Sequence, residues 1–219
     1  MFLSDYDIYR TMKKGHITID PFREGQLQVA SYDVTLDNEF QVIDRYDIQA
    51  SDPARGIYPR TRTIVIPEGE AFILHPGESV LGKQFEKIGV DLNHLMLLSG
   101  KSSLARIGLV VHNTAMLFNP GHTFYPTFEL VNNSNVPIML RPGMEIAQIL
   151  FARLTSEASR SYEEIGRYNE QNSDHFVRKK ARDEEQAMKK RNERLEEREV
   201  KRFTKDAGED VPAEDYFTI

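Results

Sequence analysis

The chain has 219 residues, 40% of them hydrophobic, with no cysteine and a formal net charge of −6. That length fits one domain, or one domain with an appendage, and the apolar content is enough for a packed core. The acidic balance gives no reason to expect nonspecific DNA binding, which normally shows as a basic surface excess. Without cysteine there are no disulfides, no thiol nucleophile and no thiolate metal ligand.

The start, "MFLSDYDIYR", turns polar too early for a secretory leader, and no apolar run reaches membrane-spanning length, so a cytoplasmic location is expected. Ser4-Asp-Tyr-Asp7 reads as a capping box, with Ile8 and Met12 at helical spacing and Gly15 as the stop. A short helix over about residues 4–14 is predicted. From Ile17 to Leu154 short apolar runs replace helical periodicity. "SYDVTLDNEFQVI" alternates as a half-buried strand does, and "RTIVIP", "AFILHPG", "ESVLGK", "HLMLLSG", "GLVVHNT", "PTFELVNN", "VPIMLRPG" and "IAQILFARL" read as further strands. Pro76-Gly77, Pro120-Gly121 and Pro142-Gly143 punctuate them as turns. Many short strands at this spacing predict a mainly β fold, a barrel or sandwich rather than a parallel βαβ sheet.

Residues 155–175 are polar and mixed. From Phe176 to about Lys205, "RKKARDEEQAMKKRNERLEEREVKRF" is rich in helix formers and predicts a charged, solvated helix. Ala181, Met188 and Leu195 sit seven apart, one apolar position per heptad, which is weaker than a coiled-coil seam. The domain division read here is 1–175 for the β domain and 176–219 for a charged helical extension.

The stretch "SGKSSLARIGL" contains Gly-Lys-Ser, the end of a phosphate-gripping loop. That loop also needs a glycine at position 95, which is Leu95, and a helix in an α/β setting; both conditions fail. A turn leading into a strand explains Leu104, Ile107 and Leu109 as core. It leaves unexplained a dense set of donors, Lys101, Ser102, Ser103 and Arg106, which suits an anion such as phosphate. In "PTFELVNN", Phe128 and Leu130 face one way while Thr127, Glu129 and Val131 face the other. A glutamate in a strand is usually a surface residue; on an inward face near an arginine it is placed for proton transfer. Of six histidines (16, 75, 94, 112, 122 and 175), no two have the spacing of a helical zinc pair.

"GKSSLARIGLVVHNTA", then "NPG", then "FELVNNSNVPIMLRPGMEIAQILF" resemble the dCTP deaminase branch of the trimeric dUTPase superfamily. "MFLSDYDIYRTMKKGHITIDPF", "ASYDVTLDNEFQV", "EGEAFILHPGESVLG" and "GRYNEQNSDH" extend the resemblance, in order, over about residues 1–175. It implies a dUTPase-like distorted β-barrel or jelly-roll assembled as a homotrimer, with each active site at a subunit interface. It also implies zinc-independent hydrolysis of dCTP to dUTP and ammonia, with Mg²⁺ carried by the triphosphate. The missing His-x-Glu and Pro-Cys-x-x-Cys signature of zinc deaminases fits that route.

By resemblance Glu129 activates the water that attacks cytosine C4. Ser102 and the carbonyl of Ala115 position that water, and Arg106 orients Glu129 and stabilises developing charge. Lys101 and Ser103 hold phosphates, the first more often Arg in the family. His112, Asn113 and Thr114, with Ala115, read the pyrimidine through backbone groups. Tyr162, Arg167, Tyr168 and Gln171 match the C-terminal segment that closes over nucleotide, with Arg167 where the family has Lys. Three departures stand out. Asn119 replaces an Asp that touches the 3′-hydroxyl and, in bifunctional members and dUTPases, helps position water at the phosphate; Asn keeps the hydrogen bond but is no base. Met116-Leu117 and His122 also depart from the usual residues and alter the pocket, toward a modified pyrimidine nucleotide in one reading. Asp33 is read as a strand-end or turn carboxylate. Three functions stay open: a dCTP deaminase releasing dUTP, a dUTP diphosphatase or bifunctional deaminase–diphosphatase, and a non-catalytic nucleotide binder.

Overall fold

The computed structural model describes residues 1–44, 49–55 and 57–165. The composition shift at residue 176 and the charged helix expected beyond it lie outside them. The chain divides into two compact units: Met1–Ser51 with Tyr58–Phe176, and Asp52–Ile57 with Val177–Ile219. In the second unit the described part is a 3₁₀ turn, Pro53–Arg55, closed by paired backbone bonds between Asp52 and Ile57.

The first unit opens with helix α1, Asp5–Lys13. Ser4 caps it, its hydroxyl accepting the Asp7 N–H at 3.4 Å, and Gly15 ends it at φ +79°. The strands follow: β1 (Ile17–Asp20), β2 (Leu27–Gln28), β3 (Ser31–Ile43), β4 (Thr61–Val65), β5 (Phe72–Leu74), β6 (Ser79–Gln84), β7 (Lys87–Val90) and β8 (His94–Gly100). A four-residue helix α2 (Ser102–Ala105) interrupts them. Then come β9 (Leu109–Val110), β10 (Leu117–Phe118), β11 (His122–Phe124), β12 (Thr127–Asn132), β13 (Ile138–Leu140) and β14 (Glu145–Arg153), and a last turn of helix, α3 (Tyr162–Ile165). The main sheet runs β10-β8-β14-β3-β6-β12-β9, with β2 and β4 also on β3. Beside it lie the sheet β1-β7-β11 and the pair β13-β5. Every assigned pairing is antiparallel, as short turns allow. The result is the mainly β, curled half-barrel expected from the strand spacing. Among the described residues no helix is long and apolar enough to cross a membrane.

Strand β3 departs from the half-buried pattern read from its sequence. Ser31 to Leu36 are all buried, polar Ser31, Asp33 and Thr35 included. The strand is central, paired along its edges with β14, β6, β4 and β2; Tyr32, Val34 and Leu36 join the apolar core on one face, and the Lys101 and Glu86 side chains stand on Asp33 and Thr35 on the other. Its polar side chains therefore need partners inside the protein. The "GKSSLARIGL" stretch also departs: Ser102–Ala105 is helical, and Ile107, expected in the core, is 50% exposed, while Leu109 is buried. The three Pro-Gly turns are as read, with Gly77, Gly121 and Gly143 at φ +74°, +67° and +83°.

Candidate active site

Alternation along β12 buries Phe128, Leu130 and Asn132 and turns Thr127, Glu129 and Val131 to the other face. The Glu129 N–H donates to Val111 O at 3.2 Å, and Glu129 Oε2 accepts the Asn113 N–H at 2.8 Å. The carboxylate is thus fixed at one oxygen to the loop after β9. It faces an open cavity of about 280 Å³. Leu81, the register partner of Glu129, forms part of an apolar wall with Leu98, Leu117, Phe118 and Phe124. The polar lining comes from Glu129, Thr127, His112, Asn119, His122 and Tyr162, with Ala115 between them. A mostly apolar cleft with a few convergent polar groups is the usual form of a small-molecule site.

The rim of this cavity is the turn Asn119-Pro120-Gly121-His122. Its backbone is tied down on three sides. The Gly121 N–H donates to Val90 O (3.1 Å) and Asp91 O (3.2 Å), the Tyr162 N–H donates to Pro120 O (2.9 Å), and the Ser161 hydroxyl donates to Gly121 O. The His122 ring, buried, stacks on Phe124 at 3.8 Å between centroids and meets Tyr162 at 4.6 Å. Gly121 permits this arrangement. A Cβ there sits 2.8 Å from Ser161 Cβ and 2.9 Å from Leu92 Cδ2, in a backbone conformation that L side chains avoid. Gly121→Ala is expected to lower stability by about 1–3 kcal/mol, read as a shifted midpoint in chemical denaturation.

Behind the rim, Asp91 receives two histidines. His94 Nδ1 lies 2.7 Å from Oδ1 and His16 Nδ1 2.8 Å from Oδ2; the Asn93 N–H adds a third bond at 2.9 Å. Burial alone pushes the Asp91 carboxyl up, but the bonds from His94, Asn93 and His16 outweigh it and hold it below the ordinary Asp range. A carboxyl lowered on folding adds stability above its unfolded pKa, and that contribution disappears as pH falls through the folded value. Asp91→Asn is therefore expected to be less stable than the parent at neutral pH. The gap should close as pH falls below the ordinary Asp range, as followed by acid titration of circular dichroism.

The donor segment lies elsewhere on the chain. Ser102, Ser103 and Arg106 are exposed on α2 and its end, and none of them lines the cavity. Lys101 starts that helix, its carbonyl accepting the Leu104 and Ala105 N–H groups at 3.0 Å each. Its ammonium sits between two carboxylates, 2.6 Å from Asp33 Oδ2 and 2.6 Å from Glu145 Oε2. Burial tends to lower the Lys101 pKa, but the bonds and charges of Asp33 and Glu145 outweigh that and raise it, so the lysine stays charged. Asp33 is not a strand-end or turn group. It is a buried residue of β3, held there because the lysine and the Gln28 amide, at 3.0 Å, satisfy it.

Of the residues read from sequence, one chain gathers Glu129, His112, Ala115, Asn119 and Tyr162 around the cavity, with the Asn113 N–H on Glu129 and exposed Thr114 in the same loop. Lys101, Ser102, Ser103 and Arg106 stand apart on the same chain. Arg167, Tyr168 and Gln171 lie outside the described residues. Thr127 was legible as the same-face neighbour of Glu129 two positions away; Leu81, Asp33 and Glu145 depend on cross-strand register and carry no local signal. Among the described residues no group of three or more His, Asp or Glu is placed to hold a metal.

Comparison with known proteins shows the family. The model of a dCTP deaminase-like family matches residues 2–154. Proteins named "dCTP deaminase, dUMP-forming" from Beutenbergia cavernae and Clavibacter michiganensis are each 44% identical over 162 residues. Those matches cover 74% of this chain and 84% and 81% of theirs. A crystal structure of 2′-deoxycytidine 5′-triphosphate deaminase from Agrobacterium tumefaciens shares the fold at TM-score 0.55 and 18% identity, over 70% of this chain and 48% of that one. Matched over residues 2–154 by the family model and over most of its length by these relatives, the chain belongs to the dCTP deaminase-like family.

Proposed function

We propose that the protein hydrolyses the amino group of dCTP, presented as its Mg²⁺ complex, with Glu129 as the acid–base residue. The observation that carries this reading is the position of Glu129: on the half-buried face of β12, turned to a cavity of about 280 Å³, with one carboxylate oxygen held by the Asn113 N–H. The other oxygen is left to work on water. Glu129 takes a proton from that water as its oxygen bonds to cytosine C4, and the C4–N3 π pair moves to N3. The carboxyl returns the proton to N3 and relays the second water proton to the amino group. The C4–N4 bond then breaks, ammonia leaves and C4=O forms. The Ala115 carbonyl helps aim the water, while Asn119 hydrogen-bonds the sugar hydroxyl.

Ser102 and Arg106 complete the reading. Both are exposed and make no side-chain hydrogen bond or ion pair among the described residues, so they are available to a neighbouring protomer. In a homotrimer they enter the adjoining cavity beside Glu129, with Lys101 and Ser103 on the phosphates and Arg167, Tyr168 and Gln171 closing from the C-terminal side. The route needs no zinc; its proton carrier is a carboxylate and the chain has no cysteine.

With Asn119 unable to act as a base, the product of this reading is dUTP. A second reading, continued hydrolysis to dUMP, is favoured by the relatives, which carry the name "dUMP-forming". Incubation with dCTP and Mg²⁺ and chromatography of the products tests both. Ammonia with accumulating dUTP supports the first, dUMP with pyrophosphate establishes the second, and no turnover removes the enzyme reading.

A further inference from the structure

Two carboxylates on one ammonium leave a local excess of negative charge where the proposed reading brings a triphosphate. For Lys101 to receive a phosphate oxygen, one of them has to give way, and the two are very unequal. The Asp33 side chain is 5% exposed, sits within β3 and also accepts from Gln28; released from Lys101, it becomes a buried carboxylate without a counter-ion. The Glu145 side chain is 45% exposed, at the start of β14 beside a register shift between Glu145 and Ala147. It can turn into water at small cost, because an exposed pair of this kind contributes little. We propose that Asp33 is a positioning residue that fixes Lys101 at the head of α2, and that Glu145 is a displaceable counter-ion whose place a substrate phosphate takes.

This inference rests on the proposed nucleotide reading and makes a distinctive demand: two carboxylates touching the same ammonium have opposite effects on anion binding. The experiment uses the full chain with Glu129→Gln, so that nothing turns over. Affinity for Mg²⁺–dCTP and for Mg²⁺–tripolyphosphate is measured by calorimetry, with and without Glu145→Gln or Asp33→Asn. Glu145→Gln is expected to tighten both ligands about three- to fivefold, with the gain shrinking at high salt. Asp33→Asn is expected to weaken both about tenfold.

Plain charge removal predicts tightening from both substitutions, and a merely structural Asp33 predicts a lower melting temperature with unchanged affinity; either result overturns the proposal. Glu145→Gln is a surface change, so its arm stands even where Asp33→Asn does not fold, and unchanged or weaker binding in that arm also overturns it. If dCTP fails to bind while tripolyphosphate keeps the predicted order, the nucleotide reading falls and the role of Glu145 stands. If neither ligand keeps that order, the roles given to Asp33 and Glu145 fall.

Discussion

Replacing Glu129 by Gln is expected to slow deamination of dCTP by roughly 10³-fold, within the range of a lost general acid–base, while dCTP affinity changes little. Gln keeps the length of the side chain and an amide oxygen to accept the Asn113 N–H, so the loop from Val111 to Asn113 stays where it is. What it loses is any capacity to take up a proton between the attack of water and the departure of ammonia. Rapid-quench turnover gives the rate and calorimetry the affinity. Undiminished turnover removes Glu129 from the mechanism. Lost turnover with equally lost affinity reassigns it to binding.

The largest expected effect on stability lies at Glu86, between β6 and β7. Its side chain is fully buried. Oε2 accepts the Thr35 N–H at 2.8 Å; Oε1 accepts the Thr35 hydroxyl at 2.7 Å and the Gln26 amide at 3.3 Å; the Arg23 guanidinium stands at 3.7 Å. Tyr32 joins the network, donating to Gln26 Oε1 and accepting the Arg23 N–H, and burial pushes its hydroxyl pKa up. The Phe85 N–H bonds Thr35 O, and β3 and β6 shift register between Leu36 and Phe40. Glu86 therefore supplies acceptors that the interrupted ladder does not. Glu86→Leu strands two Thr35 donors away from water, at about 1–3 kcal/mol each. A loss of about 3–5 kcal/mol in denaturant unfolding is expected. Glu86→Gln, which retains one acceptor, is expected to lose about half as much. A Leu variant within about 1 kcal/mol of the parent shows that water, not Glu86, serves those donors.

What the sequence disclosed is what local rules govern. Ser4 and Asp7 state a helix start, Gly15 states its end, and "HLMLLSG" coincides with β8. That Glu129 shares a face with Thr127 and Val131, opposite Phe128 and Leu130, follows from strand alternation. The rest depends on contacts between distant segments. Asp33 reads as a strand-end or turn carboxylate until β14 sets Gln148 opposite it and Lys101 arrives from the end of β8. Glu86 follows Phe85 in an unremarkable turn, and only folding brings Thr35 to it. Ser102–Ala105 looks like the start of a strand because four residues are too few to display a helical period.

Strand β3 carries a consequence for how this chain can change. Asp33 and Thr35 meet Lys101 and Glu86, while their neighbours Tyr32, Val34 and Leu36 fill the apolar interior. Removing or adding one residue between Gln28 and Leu36 exchanges those roles, presenting valine to the ammonium and a carboxylate to hydrocarbon. Length variants are thus forbidden along the spine of the sheet. Insertions and deletions should instead accumulate at exposed turns such as Glu68 to Glu70, where neither the lysine nor the glutamate is moved.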